Sequence, residues 1–339
     1  SVKEECATRR DRHAGKSRLA PQLGIDQARA NAFRVAADYK PPVPQFTGTR
    51  TLDIELTELI DYIDWMPFFN AWEFHGKFPA ILEDDVVGEA ASSLYRDAQT
   101  MLDQIIGENW LQAKAVTGFF PANRDGADDI AIYTDETRTQ RQATLHHLRQ
   151  QRQKPAGQAN RCLADFIAPA GCPDYIGAFA VTAGIGIDRK VQAFEAANDD
   201  YNAILLKALA DRLAEAAAEY LHEQVRIRHW GYATAEKLSN AALIAESYTG
   251  IRPAPGYPAC PDHTEKATLW KLLDVEKNTG ISLTESFAMV PTAAVSGFYF
   301  AHPEASYFSV GKVGRDQVED YASRKGLPVD AVERWLASV

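Results

Sequence analysis

The strand-like segments of this chain fall into two groups, and long helical patterns lie between them. The first group consists of short apolar or alternating runs broken by turns, namely AKAVTGFFPA, DDIAIYT, QATLHHLRQQ and DYIGAFAVTAG. The second group is the stretch FAMVPTAAVSGFYFAHPEASYFSVGKV, which predicts a β-hairpin or a pair of strands. Because runs of strands and runs of helices do not alternate as βαβ units, the pattern predicts an α+β fold with a twisted, mostly antiparallel sheet and long flanking helices.

Apolar residues at helical spacing mark the helices. The segment EDDVVGEAASSLYRDAQTMLDQIIGE predicts a helix with acids at its start, where the helix dipole favours them. The longest predicted helix covers residues 189–228, and Tyr201 and Ile204 belong to its apolar stripe. Further helices are predicted over residues 264–277 and in RDQVEDYASRKG and PVDAVERWLAS.

The charge of the chain is unevenly distributed. The 339 residues carry a net charge of −10, but residues 1–50 hold ten Lys and Arg against five Asp and Glu, a net of +5. We expect residues 1–50 to form a basic, proline-containing arm that links modules, wraps over a domain or stays a solvated terminus. The folded domain is expected over residues 51–339 and to begin near Asp53.

Charge and hydrophobicity disfavour two classes of partner, nucleic acids and membranes. Residues 51–339 carry a net charge of −15, which disfavours binding to a phosphate backbone, so no nucleic-acid partner is expected. No apolar run approaches the roughly 20 residues that span a bilayer, so no membrane partner is expected. The four cysteines form no CxxC pair and predict free thiols in a reducing cytoplasm; they are Cys6, Cys162, Cys172 and Cys260.

Several familiar motifs are incomplete. The segment TAGIGIDR has two glycines of a dinucleotide fingerprint, but Arg189 occupies the third position, which favours a plain strand-to-helix turn. The adjacent His146 and His147 would face opposite sides of a strand, and no zinc spacing or GxSxG elbow occurs. The histidines are therefore expected to be structural.

Two acids on the long predicted helix stand four residues apart, Asp211 and Glu215. At about 100° per residue, Glu215 lies within about 20° of Ile204 and Ala208, which places it on or beside the buried face. The sequence leaves two interpretations of Glu215 open. It is either a rim carboxylate paired with a base such as Arg212 or a carboxylate that receives a ligand ammonium.

Asp64 lies within the aromatic segment YIDWMPFFNAWEF. An aspartate in this setting is either a cap or a polar anchor in an apolar pocket, and small-ligand sites have that mixture. The pattern does not distinguish between these two roles.

The segment RPAPGYPACPDHTEK, residues 252–266, holds four prolines that fix φ and lower the freedom of the chain. Gly256 allows another group to approach the backbone closely, and the planar fork of Arg252 suits a carboxylate. The amides that the prolines leave as donors include those of Ala254, Gly256, Tyr257 and Ala259. This loop predicts a site for an amino-acid-like molecule, although composition alone also permits a structural turn.

The same loop resembles the S-adenosylmethionine-binding signature Arg-x-x-x-Gly-Tyr of the reactivation domain of cobalamin-dependent methionine synthase. The resemblance covers roughly residues 53–339. It is also carried, in the same order, by YIDWMPFF, GFFPANR, DETRTQRQ, HHLRQQ, CLADFIAP, DYIGAFAVT, ALADRLAEA, LTESFAM, SGFYFAHP and RDQVEDYASRKG. It implies the fold of that activation domain.

The resemblance also implies roles for individual residues. Arg252 matches the arginine that holds the ligand carboxylate, and Glu215 and Glu246 match acids near the ligand ammonium. Asp64 matches an acid near the adenosine part of the ligand. The remaining implied cofactor-binding residues are Ala254, Gly256, Tyr257, Tyr307 and Phe308. The sulfonium and the adenine favour aromatic faces, and Trp65, Tyr257 and Tyr307 are available for them, with the choice among the three left open.

The function that the resemblance implies is repair of an enzyme in methionine biosynthesis, 5-methyltetrahydrofolate–homocysteine S-methyltransferase. When its cobalamin is oxidised to cob(II)alamin, flavodoxin or an equivalent reductase supplies an electron and S-adenosylmethionine supplies a methyl group. The partners implied are the cobalamin-binding module of the same enzyme and the reductase, and zinc belongs only to the full enzyme. The isolated module is not expected to turn over alone.

Two other functions remain as alternatives. One is a self-contained S-adenosylmethionine-dependent methyltransferase with its own acceptor, which usually needs a glycine-rich nucleotide loop. The other is a docking domain that has lost its ligand, which predicts a degraded loop. The intact loop and the incomplete glycine motif favour the reactivation domain.

Overall fold

An antiparallel sheet forms the centre of the structure, a computed structural model that describes residues 21–337. The helices and strands, in chain order, are α1 (Ile25–Ala30), β1 (Gly48–Ile54), α2 (Leu56–Leu59), α3 (Met66–Ala71), α4 (Gly88–Gly107), β2 (Gln112–Asp125), β3 (Asp129–Tyr133), β4 (Arg141–His146), β5 (Asp174–Ile185), α5 (Ile187–Ala196), α6 (Asp200–Gln224), α7 (Asn240–Ile244), α8 (Glu265–Leu273), α9 (Val275–Thr279), β6 (Ser282–Leu283), β7 (Met289–Val290), β8 (Ala294–Tyr299), α10 (Arg315–Lys325) and α11 (Val329–Trp335). A π-helical turn, Val225–His229, extends α6.

The main sheet has the strand order β4–β3–β2–β5–β8, and β1 pairs with β2 beside this path. Strand β2 is long enough to hold β1 along its first half, from Ala113 to Phe119, and β3 along its end, from Ala122 to Asp125. Every ladder between these strands is antiparallel. The predicted α+β class with an antiparallel sheet is therefore confirmed.

The two faces of the sheet bury two separate cores. Successive side chains of a strand point to opposite faces, so Phe119 and Phe120 of β2 belong to different cores. Helices α4 and α6 cover the first face, and α8 and α9 cover the second. The candidate site described below lies beside β8, where the last strand of the sheet meets α6.

The helix predicted over residues 189–228 is two helices, α5 and α6. The chain turns between them at Asn198, whose φ is 56°, and the Asp199 side chain then accepts the amide of Asn202 at 3.1 Å as the N-cap of α6. The predicted apolar stripe is wrong at the start of α6, because Tyr201 is 42% exposed and Ile204 is 54% exposed. The other long helix that the sequence predicts, α4, is confirmed.

Two other expectations require correction. The helix predicted over residues 264–277 breaks into α8 and α9 at Asp274, which has a φ of 48°. Of the two alternatives for the stretch that begins FAMVP, the hairpin is wrong and the pair of strands is confirmed, because β7 pairs with β6 in a small ribbon while β8 pairs with β5. The turn at Gly186 is confirmed as a strand-to-helix connection, with a φ of 94° and no room for a Cβ beside the carbonyl of Trp110.

Residues 21–47 lie against the domain, so the folded structure begins well before Asp53. Arg29 pairs with Asp128 and Asp320 at 2.7 Å each, and the indole Nε1 of Trp230 donates to the carbonyl of Pro42 at 2.8 Å. Strand β1 crosses the boundary expected between residues 50 and 51. The linker role of residues 1–50 stays a prediction, and residues 1–20, with Cys6, lie outside the described part.

Cys162, Cys172 and Cys260 carry free thiols. Among residues 21–337, no helix has both the length and the apolar character that a bilayer crossing requires.

Candidate ligand-binding site

Backbone pairing to β8 determines the direction of the Arg252 side chain. Ile251 exchanges hydrogen bonds with Phe300, and the carbonyl of Pro253 accepts the amide of Phe298 at 2.9 Å. Ile251 points into the second core, where α8 and α9 lie. Because neighbouring side chains of an extended segment alternate, Arg252 points to the opposite side, towards α6.

The guanidinium of Arg252 meets three polar groups there. Its Nη2 lies 2.8 Å from the Glu219 carboxylate, and its Nη1 lies 3.2 Å from His222 Nδ1 and 3.0 Å from the Tyr248 hydroxyl. A guanidinium has five N–H donors, so these contacts leave two. Two is the number that a carboxylate takes in a bidentate contact.

The charges around Arg252 follow from burial. Although burial opposes its charge, Glu219 and the neighbouring tyrosines hold the pKa of Arg252 above its ordinary value. Burial, together with Arg252 and Arg226, lowers the pKa of His222 well below its ordinary value. His222 is therefore neutral and accepts from Arg252 at Nδ1, which places its own proton on Nε2.

Glu219 is 8% exposed and carries the opposing charge. Burial raises its pKa, while Arg252 and Arg226 oppose that rise. A buried carboxylate is costly unless it is paired, so Glu219 and Arg252 stabilise each other in one arrangement.

A first cavity of about 300 Å³ opens beside this pair. Its lining consists of Tyr62, Asp64, Pro67, Arg212, Glu215, Glu219, Leu243, Ile244, Glu246 and Arg252. The four carboxylates and two guanidinium groups of this lining give a formal net charge of −2. The cavity therefore favours a cation, with Arg252 as the local place for an anionic group.

A second cavity of about 490 Å³ adjoins the first and shares Glu215, Glu246 and Arg252 with it. Its other lining residues are Pro253, Ala254, Tyr257, Pro258, Ala259, Val295, Tyr307 and Phe308. The hydroxyl of Tyr307 accepts the Arg252 amide at 3.0 Å, which fixes the wall of this cavity to the loop. The pair of cavities is charged at one end and largely apolar and aromatic at the other.

The linings of the two cavities contain eight of the nine ligand-binding residues that the sequence predicts. These are Asp64, Glu215, Glu246, Arg252, Ala254, Tyr257, Tyr307 and Phe308. Gly256 is not in either lining, and its φ of 96° and close contact with the ring of His263 give it a role in shaping the loop. The ligand contacts of all nine stay predictions.

The structure bears on the roles of three acids, Asp64, Glu215 and Asp211. Asp64 accepts the amide of Met66 at 3.0 Å and also lines the first cavity, so it is both a local cap and a cavity wall. Glu215 lines both cavities, and within residues 21–337 no ion pair joins it to Arg212. Asp211 is exposed and lies outside both linings.

Two other expectations about the site are wrong. The amides of Gly256 and Tyr257 are not free donors, because they donate to the carbonyls of Cys260 and Ala254 at 2.7 and 3.1 Å. Trp65 is 7% exposed and packs edge-on against Phe68, inside the first core instead of in either cavity.

Sequence reasoning missed the residues that hold Arg252, namely Glu219, His222 and Tyr248. The sequence did contain a signal for Glu219, since this residue follows Glu215 by four positions and therefore lies on the same face of the helix. No signal marked His222 or Tyr248, because their contact with Arg252 depends on how α6 packs beside β8.

The site combines a partly buried guanidinium that has two uncommitted donors, surrounding carboxylates and an adjoining aromatic cavity. These features define a module that binds a small zwitterionic molecule with an apolar body. The family model described as "Vitamin B12 dependent methionine synthase, activation domain" matches residues 55–326. A solved structure described as the MetH reactivation domain bound to AdoHcy is similar to this chain, with 57% sequence identity and a TM-score of 0.91. That match covers 94% of this chain and 98% of the other. The chain belongs to the family of activation domains of vitamin B12-dependent methionine synthases.

Proposed function

We propose that this chain binds S-adenosylmethionine in the two adjoining cavities and presents its methyl group during reactivation of methionine synthase. The observation that carries the proposal is the held guanidinium of Arg252 with two free donors, set among carboxylates beside an aromatic cavity. The AdoHcy of the similar solved structure differs from the proposed ligand by that methyl group and its charge.

The charged end of the ligand suits the first cavity. Its carboxylate would take the two remaining donors of Arg252, and its ammonium would lie near Glu215 and Glu246, which line both cavities. The sulfonium gives the ligand a net charge of +1, opposite in sign to the −2 of the first cavity's lining. The same lining favours the sulfonium ligand over its neutral thioether product, which helps the product to leave.

The adenosine end suits the second cavity. Tyr257, Tyr307 and Phe308 offer aromatic faces, and Ala254 leaves space beside the loop. Asp64 remains the candidate for a polar contact to the ribose or the adenine, because one of its oxygens is committed to Met66 and the other is not.

The contribution of the chain to the reaction is positioning. Arg252 and the carboxylates hold the amino-acid part, the aromatic wall holds the nucleoside, and together they restrict where the methyl group lies. Cobalamin, bound by another module of the enzyme, supplies the cobalt that accepts the methyl group. The partners proposed are that cobalamin module and flavodoxin or an equivalent reductase. The full enzyme also holds the zinc, and a cytoplasmic location is proposed.

Calorimetric titration with S-adenosylmethionine tests the site. Arg252→Ala removes a charge-assisted contact and should weaken binding by about 1.5–3 kcal/mol, roughly ten- to more than a hundredfold. Glu219→Gln keeps the guanidinium of Arg252 but removes the charged partner that holds it, so this variant should weaken binding by a smaller factor. Arg189→Ala, at an exposed arginine outside both linings, is the matched control and should bind as the wild-type chain does.

Equal affinity of the wild-type chain and Arg252→Ala would contradict the site. Methyl transfer to a test acceptor without the cobalamin module would instead show a self-contained methyltransferase.

A further inference from the structure

A third cavity, of about 530 Å³, also has Phe308 in its lining and carries an unusual charge. It is enclosed by residues 150–154 and 308–312, with Gln22 beside them. Arg152, Lys154 and Lys312 belong to its lining, and the lining contains no acid. This is a concentration of positive charge in a chain whose net charge is −10.

The three cations are not neutralised by the described part of the chain. Within residues 21–337, no carboxylate lies within 4.0 Å of Arg152, Lys154 or Lys312. By contrast, the buried Arg149 has carboxylate partners at 2.7 Å, and Arg252 has one at 2.8 Å. The chain therefore pairs Arg149 and Arg252 with carboxylates, whereas Arg152, Lys154 and Lys312, which have no such partner within residues 21–337, share the lining of one cavity.

Like charges at this site act on one another. Burial, and then the charges of Arg152 and Arg161, lower the pKa of Lys154. Arg152 and Lys312 are exposed and Lys154 is half-buried, so the repulsion between like charges acts mainly on Lys154, and an anion in the cavity would offset it.

The frame of the cavity is fixed by hydrogen bonds. Gln150 donates to the carbonyl of Ser309 at 2.7 Å and accepts the amide of Arg161 at 3.1 Å, so it ties the two enclosing segments together. Phe308 and Val310 supply an apolar wall. A rigid cavity with an apolar wall and cations at its opening has the composition of a small-molecule site.

We propose that this third cavity binds an organic phosphate, with Arg152, Lys154 and Lys312 around the phosphate and the Phe308 side of the cavity around the organic part. The planar fork of an arginine matches phosphate oxygens bidentately, and lysines act as point charges beside it. A phosphate monoester carries a charge of about −1.5 to −2 at neutral pH, which exceeds that of a carboxylate and suits three cations. Phe308 also lines the second cavity of the ligand site, so this one residue borders both cavities.

The test is a calorimetric titration of the full chain with phenyl phosphate at fixed ionic strength. Inorganic phosphate, phenol and benzoate serve as comparison probes. Phenyl phosphate should bind saturably at one site and more tightly than the other three, because only it has both the divalent charge and the ring. Phenyl phosphate does not resemble the proposed ligand of the other cavities, so this result is independent of S-adenosylmethionine binding.

Variants identify the site. Lys154→Gln and Lys312→Gln should each weaken phenyl phosphate binding about five- to tenfold, since each removes one charged contact. Lys271→Gln, at an exposed lysine of α8 outside the cavity, should leave it unchanged. Circular dichroism of each variant verifies that it is folded.

Three results would overturn the proposal. They are the absence of saturable binding of phenyl phosphate, equal affinity in Lys154→Gln, Lys312→Gln and the wild-type chain, and tighter binding of benzoate than of phenyl phosphate.

Discussion

Arg252 is fixed in place by the fold before a ligand arrives. Glu219, His222 and Tyr248 occupy three of its N–H donors, and Tyr307 receives its backbone amide. A free arginine side chain would lose about 2 kcal/mol of rotamer entropy when a ligand immobilised it. Because the protein has already met most of that cost in folding, more of the contact free energy is available for binding.

Gly256 is the residue of the loop where an added methyl group should do most harm. Its φ is 96°, and a Cβ there would overlap the imidazole of His263. We expect Gly256→Ala to displace the loop that carries Ala254 and Tyr257. The variant should lose about 1–3 kcal/mol of the free energy of unfolding and bind S-adenosylmethionine at least about tenfold more weakly. Urea unfolding and calorimetry measure the two effects.

Gly280 provides the matched control, because its φ is 77° and nothing lies within 4 Å of an added Cβ. Gly280→Ala should lose about 1 kcal/mol through backbone strain alone and keep its affinity. If Gly256→Ala behaved in the same way, the contact with His263 would have no part in shaping the site.

At the scale of residues, the loop motif and the family resemblance predicted the residues that line the cavities, whereas the side chains that hold Arg252 were missed. Arg252 and Tyr257 stand in a single recognisable loop. The position of His222 beside Arg252 depends on the packing of α6 against the sheet, which no local pattern encodes. Gly256 was predicted as a lining residue because a glycine permits close approach, but the group that approaches it is His263 of the same chain.

At the scale of elements, the junction of α5 and α6 sets where the site acids lie along the helix. Asp199 accepts the backbone amide and the side-chain amide of Asn202 at 3.1 and 2.7 Å. Asp199→Ala should therefore cost about 1 kcal/mol of the free energy of unfolding in urea. Asp200→Ala is the comparison, since Asp200 is the first residue of α6 and its side chain accepts no capping hydrogen bond.

The loss in Asp199→Ala should be at least twice that in Asp200→Ala, which removes only a favourable charge near the helix dipole. Losses of the same size in both variants would mean that the cap does not define the start of α6. Binding of S-adenosylmethionine by the folded protein should change in neither, because Glu215 and Glu219 lie near the middle and end of the helix.

Periodicity predicted where helices and strands occur better than where they end. The break at Asn198 was missed because apolar residues continue at helical spacing on both sides of it, and a positive φ leaves no trace in that spacing. Strands β2 and β5 and their neighbours were predicted well, since short apolar runs bounded by turns are a specific signal for strands. The hairpin after α9 was wrong because the partners of β7 and β8 are β6 and β5, and pairing depends on the whole sheet.

At the scale of the whole molecule, His147 makes stability depend on pH. It is 2% exposed and lies beside the rings of Phe298 and Phe300. Burial lowers its pKa to about 3, the charge of Asp129 opposes this shift, and the charges of His146 and Arg324 add to it. Between about pH 6.5 and pH 3 the unfolded chain binds a proton that the folded chain excludes. The stabilisation is therefore complete above about pH 6.5 and is lost as the pH falls, by at most about 1.4 kcal/mol per pH unit.

The variant His147→Phe keeps an aromatic ring near Phe298 and Phe300 and removes the titration. Between pH 7 and pH 5, the free energy of unfolding should fall by about 2 kcal/mol more in the wild-type chain than in this variant. The exposed His75 serves as control, and His75→Gln should follow the wild-type curve. Parallel curves for His147→Phe and the wild-type chain would show that His147 is charged in the folded state.

The segment of residues 21–47 should contribute to the stability of the domain as a part of the fold. The buried carboxylate of Asp128 forms an ion pair with Arg29 of the segment. The ring of Phe46 packs against Phe119 with ring centroids 5.0 Å apart, and the indole N–H of Trp230 donates to a carbonyl of the segment. A chain that begins at residue 48 loses all three contacts: the indole N–H of Trp230 loses its partner, and Asp128 keeps Arg149 but loses Arg29. Each loss should cost about 1–3 kcal/mol.

We therefore expect the chain that begins at residue 48 to lose at least about 3 kcal/mol of the free energy of unfolding in urea, because two or more buried partners are removed together. A chain that begins at residue 21 keeps these contacts and is the matched control. The loss should also reach the ligand site, since Trp230 follows the π-helical turn at the end of α6, the helix that carries Glu219 and His222. If the shorter chain were as stable as the longer one, residues 21–47 would act as part of the linker that composition predicts for residues 1–50.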